Sequence, residues 1–165
     1  MLSERFVDAL NEQIVREFAA PHQYVGIGAH YAAQTFPQLS TFFYEQAEEE
    51  REHAMKMVTY MVDRDANVHF GAIEEPRADF PDHVAPIRHA LEQEKRVTVQ
   101  INGLFEIARE TRDYQSEQFL QWFLEEQVEE AAAMSDLLEV AERTRQIPML
   151  LEDYLARETP GKRAG

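Results

Sequence analysis

The sequence contains no cysteine, only six glycines among its 165 residues, and 16 basic side chains against 31 acidic ones. Without cysteine there is no disulfide framework, zinc finger, thiolate-held iron–sulfur cluster or cysteine nucleophile. The shortage of basic residues gives a formal net charge of −15, which repels nucleic-acid backbones and anionic membrane surfaces. We therefore expect no nucleic acid and no membrane as partners, and the charge favours cations.

Long apolar runs are also missing. No uncharged stretch approaches the roughly 18 apolar residues of a membrane-spanning helix. The segment Met1 to Phe6 has neither the apolar core nor the cleavage site of a signal peptide. These absences predict a cytoplasmic location. Hydrophobic residues nevertheless make up 44% of the chain, which is enough for one compact domain.

Apolar residues recur every three or four positions, which is the pattern of amphipathic helices. The predicted helices cover residues 4–33, 38–65, 84–111, 114–143 and 147–157. Short connections make the first and second helices, and the third and fourth, antiparallel neighbours. Residues 66–83 contain Gly71, Pro76 and Pro81, and an extended loop of this length can cross the whole bundle. The fold is therefore predicted to be all-α, a four-helix bundle with one long crossover loop and a short C-terminal fifth helix.

The domain is predicted to cover residues 1–158, with the bundle at about 4–143, the fifth helix at about 147–157 and a flexible C-terminal tail at 159–165. Pro21 lies inside the first predicted helix, four residues after Glu17. Its ring removes the hydrogen bond to the Glu17 carbonyl and crowds that group. We therefore expect a kink or bulge near residues 17–21 that redirects a side chain.

Each long apolar stripe has a carboxylate near its middle, where an unpaired charge would be costly. The four residues are Glu17, Glu50, Glu94 and Glu130. His53 lies one turn after Glu50, and Gln127 lies one turn before Glu130. The same sequence separation, 33 residues, lies between Glu17 and Glu50 and between Glu94 and Gln127. This repeat suggests two related helical hairpins. One such glutamate could lie on a solvated helix flank, but four at mid-helix indicate a shared interior site.

Four carboxylates and one imidazole need cations to be tolerated inside a bundle. Two ions bridged by a shared carboxylate would use all of these ligands. Oxygen donors with one histidine and no thiolate suit iron or manganese better than structural zinc. The ligand set leaves coordination positions open for dioxygen, which favours a di-iron site that oxidises ferrous iron.

These residues resemble those of the non-haem bacterial ferritins over almost the whole chain. The matching segments are Leu10 to Gln13 with Glu17, Tyr24, Glu49 to His53, Glu94, and Gln121 to Glu130. The resemblance implies a ferritin-like bundle that oxidises ferrous iron with dioxygen or hydrogen peroxide and stores ferric mineral in a hollow 24-subunit shell. It implies a first ferroxidase iron bound by Glu17, Glu50 and His53. It implies a second iron bound by Glu94, Glu130 and the bridging Glu50, with Gln127 beside the site.

Further residues have two interpretations each. By resemblance, a third iron site would use Glu49, Glu126 and Glu129, although a solvated helix face explains these acids equally well. Tyr24 matches a tyrosine beside the ferritin centre that can donate an electron, while a core aromatic is the commoner use of such a residue. The fifth helix lines the four-fold axis of 24-subunit ferritins, or it packs on its own bundle.

Haem is not expected. Bacterioferritins repeat Glu-x-x-His on the fourth helix and carry a haem-ligating Met directly after the second-helix Glu, whereas the corresponding residues here are Glu130 and Arg51. Mini-ferritins build their site between subunits and lack a fifth helix. Two other functions stay open. One is a di-iron peroxidase or oxidase on the same bundle without mineral storage, and the other is a helical scaffold whose mid-helix acids are solvated.

Overall fold

The computed structural model describes residues 1–162, and all regular secondary structure within them is helical. The helices are α1 (Glu4–Ala33), α2 (Pro37–Asp63), α3 (Ala85–Glu110), α4 (Tyr114–Arg143) and α5 (Met149–Arg157). Each boundary lies within two residues of the predicted one. The helices form a four-helix bundle with a short C-terminal helix, which confirms the predicted fold class.

The three helices α1, α2 and α3 end in the same way. The second residue after each helix has a left-handed backbone, with φ of 62° at Thr35, 53° at Asp65 and 55° at Arg112. The next amide then bonds back to a carbonyl five residues earlier, as from Phe36 to Tyr31 at 3.0 Å. These compact turns reverse the chain after α1 and after α3, so each forms an antiparallel pair with the helix that follows it.

The segment between α2 and α3 follows α1 along its length. It is hydrogen-bonded to α1 at three successive places, which are Asn11 with Asn67 and His69, Gln23 with Arg77, and Tyr31 with His83. The loop therefore passes from the beginning of α1 to its end. As a result, α3 begins at the same end of the bundle as α2. This arrangement makes α2 and α3 parallel, as the crossover predicts.

The apolar core is divided into two clusters. One surrounds Tyr31, Phe43 and Leu137 near the α1–α2 turn, and the other surrounds Phe6, Met61 and Leu104 near the opposite end. The mid-helix polar residues lie between them. The two clusters hold the four helices in register above and below that polar layer.

The predicted bulge at residues 17–21 is wrong. The backbone of α1 is α-helical from Glu4 to Ala33, on both sides of Pro21. A kink in the helix axis, which the sequence also allows, stays a prediction. The proline φ is compatible with a helix, and the packing of the surrounding turns offsets one missing hydrogen bond. Glu17 still points into the bundle, where it is 2% exposed.

The segment that follows α5 folds back onto α4. Pro160 is buried, and the Gly161 amide donates to Asp136 Oδ2 at 3.2 Å. Residues 159–162 of the predicted flexible tail are therefore docked, and residues 163–165 lie outside the described residues. Across the described chain, no helix is both long and apolar enough to span a bilayer.

Helix α5 is attached to its own bundle. Leu151 is fully buried in the cluster near the α1–α2 turn. The Glu152 carboxylate is 5% exposed and accepts hydrogen bonds from the backbone amides of Gln38 and Leu39 at 2.8 and 2.9 Å. Those amides belong to the first turn of α2 and have no partner within that helix, so Glu152 supplies the cap that α2 lacks. Lining of a shell axis by α5 stays a prediction.

Substitution Glu152→Ala is expected to lower the free energy of unfolding by about 1–2 kcal/mol, because two amides in the first turn of α2 lose their acceptor. Chemical unfolding followed by circular dichroism would measure the loss. The matched control is Asp153→Ala on the same helix. Within residues 1–162 its exposed side chain pairs only with Arg157, so the change should alter stability by less than about 0.5 kcal/mol. Equal effects of the two substitutions would contradict the capping role.

Candidate metal centre

All four helices of the bundle contribute polar side chains to one layer at its middle. Six of them are at most 5% exposed: Glu17 from α1, Glu50 and His53 from α2, Glu94 from α3, and Gln127 and Glu130 from α4. Each lies on the apolar stripe of its helix, so burial of that stripe also buries the polar group. The structure therefore brings together the residues that the sequence analysis selected.

The ligand atoms form two overlapping groups. Glu17, Glu50 and His53 offer one set of atoms within 4.8 Å of one another, and Glu50, Glu94 and Glu130 offer a second such set. Glu50 is common to both. This arrangement can hold two cations that share one carboxylate, which matches the number of ions expected from the charge.

His53 lies between two carboxylates. Its Nδ1 is 3.6 Å from Glu50 Oε2 and 3.5 Å from Glu130 Oε1. The ring also makes edge contacts with Trp122 and Phe123, with ring centroids 5.2 and 6.2 Å apart. These aromatic rings fix the plane of the imidazole, so that its nitrogen faces the acidic layer.

Two of the four carboxylates are held in place by hydrogen bonds. Glu17 Oε1 accepts from the Gln13 amide at 2.8 Å, one helical turn away. Glu94 Oε1 accepts from the Tyr24 hydroxyl, and its Oε2 accepts from the Gln127 amide at 3.3 Å. Gln127 also donates to the Glu94 carbonyl at 3.2 Å. The structure thus places Gln127 and Tyr24 as partners of Glu94, and Tyr24 also packs in the apolar cluster against Phe43.

The other two carboxylates lack such support. Within residues 1–162, Glu50 Oε1 and both oxygens of Glu130 are buried without a hydrogen-bond partner. A buried acceptor with no donor is costly and is expected to be protonated or to bind a cation. These unpartnered oxygens indicate where positive charge is required.

Burial raises the pKa of all four carboxyl groups. For Glu17 the pKa rises to about 7, mainly through desolvation and against the lowering effect of the Gln13 hydrogen bond. For Glu130 the pKa rises to about 12, because desolvation acts together with repulsion from Glu50 and Glu94. Desolvation also raises the pKa of Glu50 and Glu94. A metal-free layer therefore holds protons where a loaded layer holds metal.

A cavity of about 800 Å³ opens on the α2–α4 side of this layer. His53 and Glu130 form part of its wall, and so do Glu49, Glu126 and Glu129. Glu126 is half-buried and lies within 4.8 Å of ligand atoms of both His53 and Glu130. In the part of the chain that the structure describes, Glu49 and Glu129 are exposed and belong to no such close group. The three acids predicted for a third site thus share one cavity, and among the described residues Glu126 is the one of the three within 4.8 Å of His53 and Glu130 ligand atoms.

Sequence reasoning assigned no role to two residues that contact the centre. Gln13 is 1% exposed and orients Glu17. Its position one turn before Glu17 on the same stripe was the available signal. Trp122 contacts His53 and also lies 4.5 Å from the Lys56 ammonium, measured to the ring centroid. No spacing rule identified Trp122, because its contact with α2 depends on how α4 packs.

The metal-free protein is expected to lose stability as the pH rises from about 5 to 7.5. The folded-state pKa of Glu17 exceeds its ordinary value of 4.5, so above that pH the unfolded chain binds fewer protons and the free energy of unfolding falls. The loss from Glu17 alone is on the order of 3 kcal/mol. Chelator-treated protein at one fixed concentration, unfolded with urea at each pH, would show this slope.

Two comparisons control that measurement. Glu17→Gln should show a shallower dependence on pH, because its amide does not titrate. Addition of Co²⁺ should restore stability at the higher pH, because the cation replaces the protons. An identical slope in the wild type and Glu17→Gln would contradict the assignment.

Comparison with known proteins gives a consistent result. Residues 7–144 match the family model described as a ferritin-like domain. The protein named Ferritin BfrB from Mycolicibacterium smegmatis is 42% identical over 157 residues, covering 95% of this chain and 87% of that protein. A bacterial non-heme ferritin from Staphylococcus aureus is 40% identical over 132 residues, covering 80% of each chain.

Solved structures agree. A structure described as an open pore ferritin from the hyperthermophilic archaeon Archaeoglobus fulgidus superposes with a TM-score of 0.91 at 31% identity, covering 96% of this chain and 99% of that one. The buried glutamate and histidine layer fits the binding of metal ions. Together with the family match and the identity to curated ferritins, it leads to one conclusion: this chain belongs to the ferritin family, and iron storage is the function that these findings support.

Proposed function

We propose that the chain is an iron-storage ferritin with ferroxidase activity. Ferrous ions would be oxidised by dioxygen or hydrogen peroxide at the buried layer within each subunit. Ferric mineral would be stored in a hollow 24-subunit shell in the cytoplasm. The observation that carries this proposal is the pair of ligand groups that share Glu50 at the centre of the bundle.

The proposed chemistry needs two ferrous ions close together. Glu17, Glu50 and His53 would bind one ion, while Glu94, Glu130 and the shared Glu50 would bind the other. Each ion gives up one electron, and dioxygen takes up two electrons and two protons to become hydrogen peroxide. Carboxylates favour the ferric state because their negative charge stabilises the higher positive charge.

The supported and unsupported carboxylates suit different parts of this cycle. Glu17 and Glu94, held by amide and hydroxyl donors, would keep a fixed position as ions come and go. Glu50 and Glu130, whose free oxygens have no such donor among the described residues, can rotate to follow an ion. Protons displaced when ions bind would come from these raised-pKa groups.

The remaining site residues are proposed to assist. A third iron would be held by Glu49, Glu126 and Glu129, with Glu126 supporting this because it lies within reach of Glu130. Tyr24 would supply an electron, which its hydroxyl contact with Glu94 supports. We further propose that the protein binds no haem, on the ground that Arg51 follows Glu50 where bacterioferritins have methionine. The α2 position offered to a haem iron is thus a guanidinium, which cannot act as a ligand.

Glu50→Ala and His53→Ala are expected to reduce the initial rate of ferrous oxidation by about 100-fold or more, because both remove ligands from the shared layer. Oxygen consumption and ferric absorbance after addition of ferrous iron would measure the effect. The control is Glu48→Ala, an exposed glutamate on the same helix, which should oxidise iron as the wild type does. Unchanged oxidation in the ligand variants would instead favour a scaffold whose acids only interact with solvent.

A second measurement separates storage from other di-iron chemistry. Light scattering is expected to give a particle of about 24 times the 19.2 kDa chain, and that particle should retain iron far beyond three ions per subunit after oxidation. A smaller species that oxidises iron but releases all of it would contradict storage. That result would favour the di-iron peroxidase or oxidase.

A further inference from the structure

The segment after α5 closes one side of the acidic cavity. Thr159, Pro160, Gly161 and Lys162 line that cavity together with the acids of α2 and α4. Pro160 is buried although it follows the last helix by three residues. The segment is therefore packed into place rather than extended into solvent.

Gly161 is the residue that allows this docking. Its φ of +79° lies in the left-handed region, and its amide donates to Asp136 Oδ2 on α4 at 3.2 Å. A Cβ built on Gly161 would lie 3.0 Å from the backbone nitrogen of Ala133 and 3.1 Å from its Cα. Both the backbone conformation and the close approach to α4 thus require glycine. A further bond from the Lys162 amide to the Thr159 carbonyl at 3.2 Å closes the turn.

The docked turn approaches α4 close to the acidic residues of that helix. Ala133 lies one helical turn after Glu129 and less than one turn after Glu130 on α4. The same cavity wall includes His53 and Glu130, which face the buried layer, and Glu126, which lies within 4.8 Å of both. Both oxygens of Glu130 lack a hydrogen-bond partner in residues 1–162. The docked turn and these ligand residues therefore line one and the same cavity.

We propose that residues 159–162 form a docked strap that closes the acidic cavity and slows the exchange of divalent cations between that cavity and the buried carboxylates. This inference rests on the proposed function, because it takes the buried layer to be a two-cation site. Displacement of the strap would widen the passage without removing any ligand. The strap thus sets how fast cations leave, while the glutamates and His53 set how many bind.

The test uses Co²⁺ as the probe in the full-length protein. Each variant is loaded with Co²⁺, and its visible absorption is followed after mixing with excess chelator. Gly161→Ala is expected to bind the same number of ions as the wild type and to release them about ten-fold faster, since a left-handed alanine in contact with α4 favours the undocked strap. The matched control is Gly103→Ala in α3, where an added Cβ meets no atom of the described chain within 4 Å and release should be unchanged.

Hydrogen exchange of the C-terminal peptide checks the docking itself. The Gly161 amide should exchange faster in Gly161→Ala and in Asp136→Ala, which removes its acceptor, than in the wild type and Gly103→Ala. Equal Co²⁺ release in all four proteins, or unchanged exchange in Gly161→Ala, would overturn the strap. Two or more bound ions with equal release would contradict the strap alone. Fewer than two ions bound to the wild type would contradict the two-cation site, and the strap with it.

Discussion

The desolvation of four glutamates at the middle of the bundle is the constraint on which the rest of the structure depends. A carboxylate in that position is tolerated only as a protonated group or as a ligand, because isolated buried charge is too costly. The two apolar clusters on either side provide the packing that keeps the helices together despite this polar layer. The register of those clusters also determines that all four carboxylates lie at one level.

The two hairpins place related residues at equivalent positions, each 77 residues apart: Glu17 and Glu94, Glu50 and Gln127, and His53 and Glu130. The equivalent residues of the two hairpins have different roles. In the first hairpin the second position is Glu50, which is shared by both ligand groups. In the second it is Gln127, a neutral amide that supports Glu94. One bridging carboxylate is sufficient for two cations, and a second at Gln127 would add repulsion to a layer already short of donors.

The helices and the burial of the central glutamates could be predicted because periodicity reports burial directly: a glutamate on an apolar stripe follows that stripe into the core. Gln13 lies one turn before Glu17 on the same stripe, so spacing offered a signal for it. Trp122 depends on how α4 packs against α2, which spacing does not encode. Glu152 was missed because an acid in the first turn of a short helix is usually exposed, whereas here it caps another helix 113 positions earlier at Leu39. Pro21 suggested a kink or bulge because its local cost was counted without the packing of the surrounding turns, and α1 has helical backbone on both sides of it.

The crossover loop between α2 and α3 runs alongside α1, and this position affects the order in which the bundle can fold. Each hairpin is built from contacts between neighbouring segments, so α1 with α2 and α3 with α4 can pair through short loop closures. The loop joins Asn11 to His69 and Tyr31 to His83, contacts that span more than 50 residues. Pairing of α1 with α2 shortens the loop closure that these bonds need, so we expect them to form after the first hairpin. Because the acidic layer takes residues from both hairpins, we expect it to be completed only when the two hairpins close on one another.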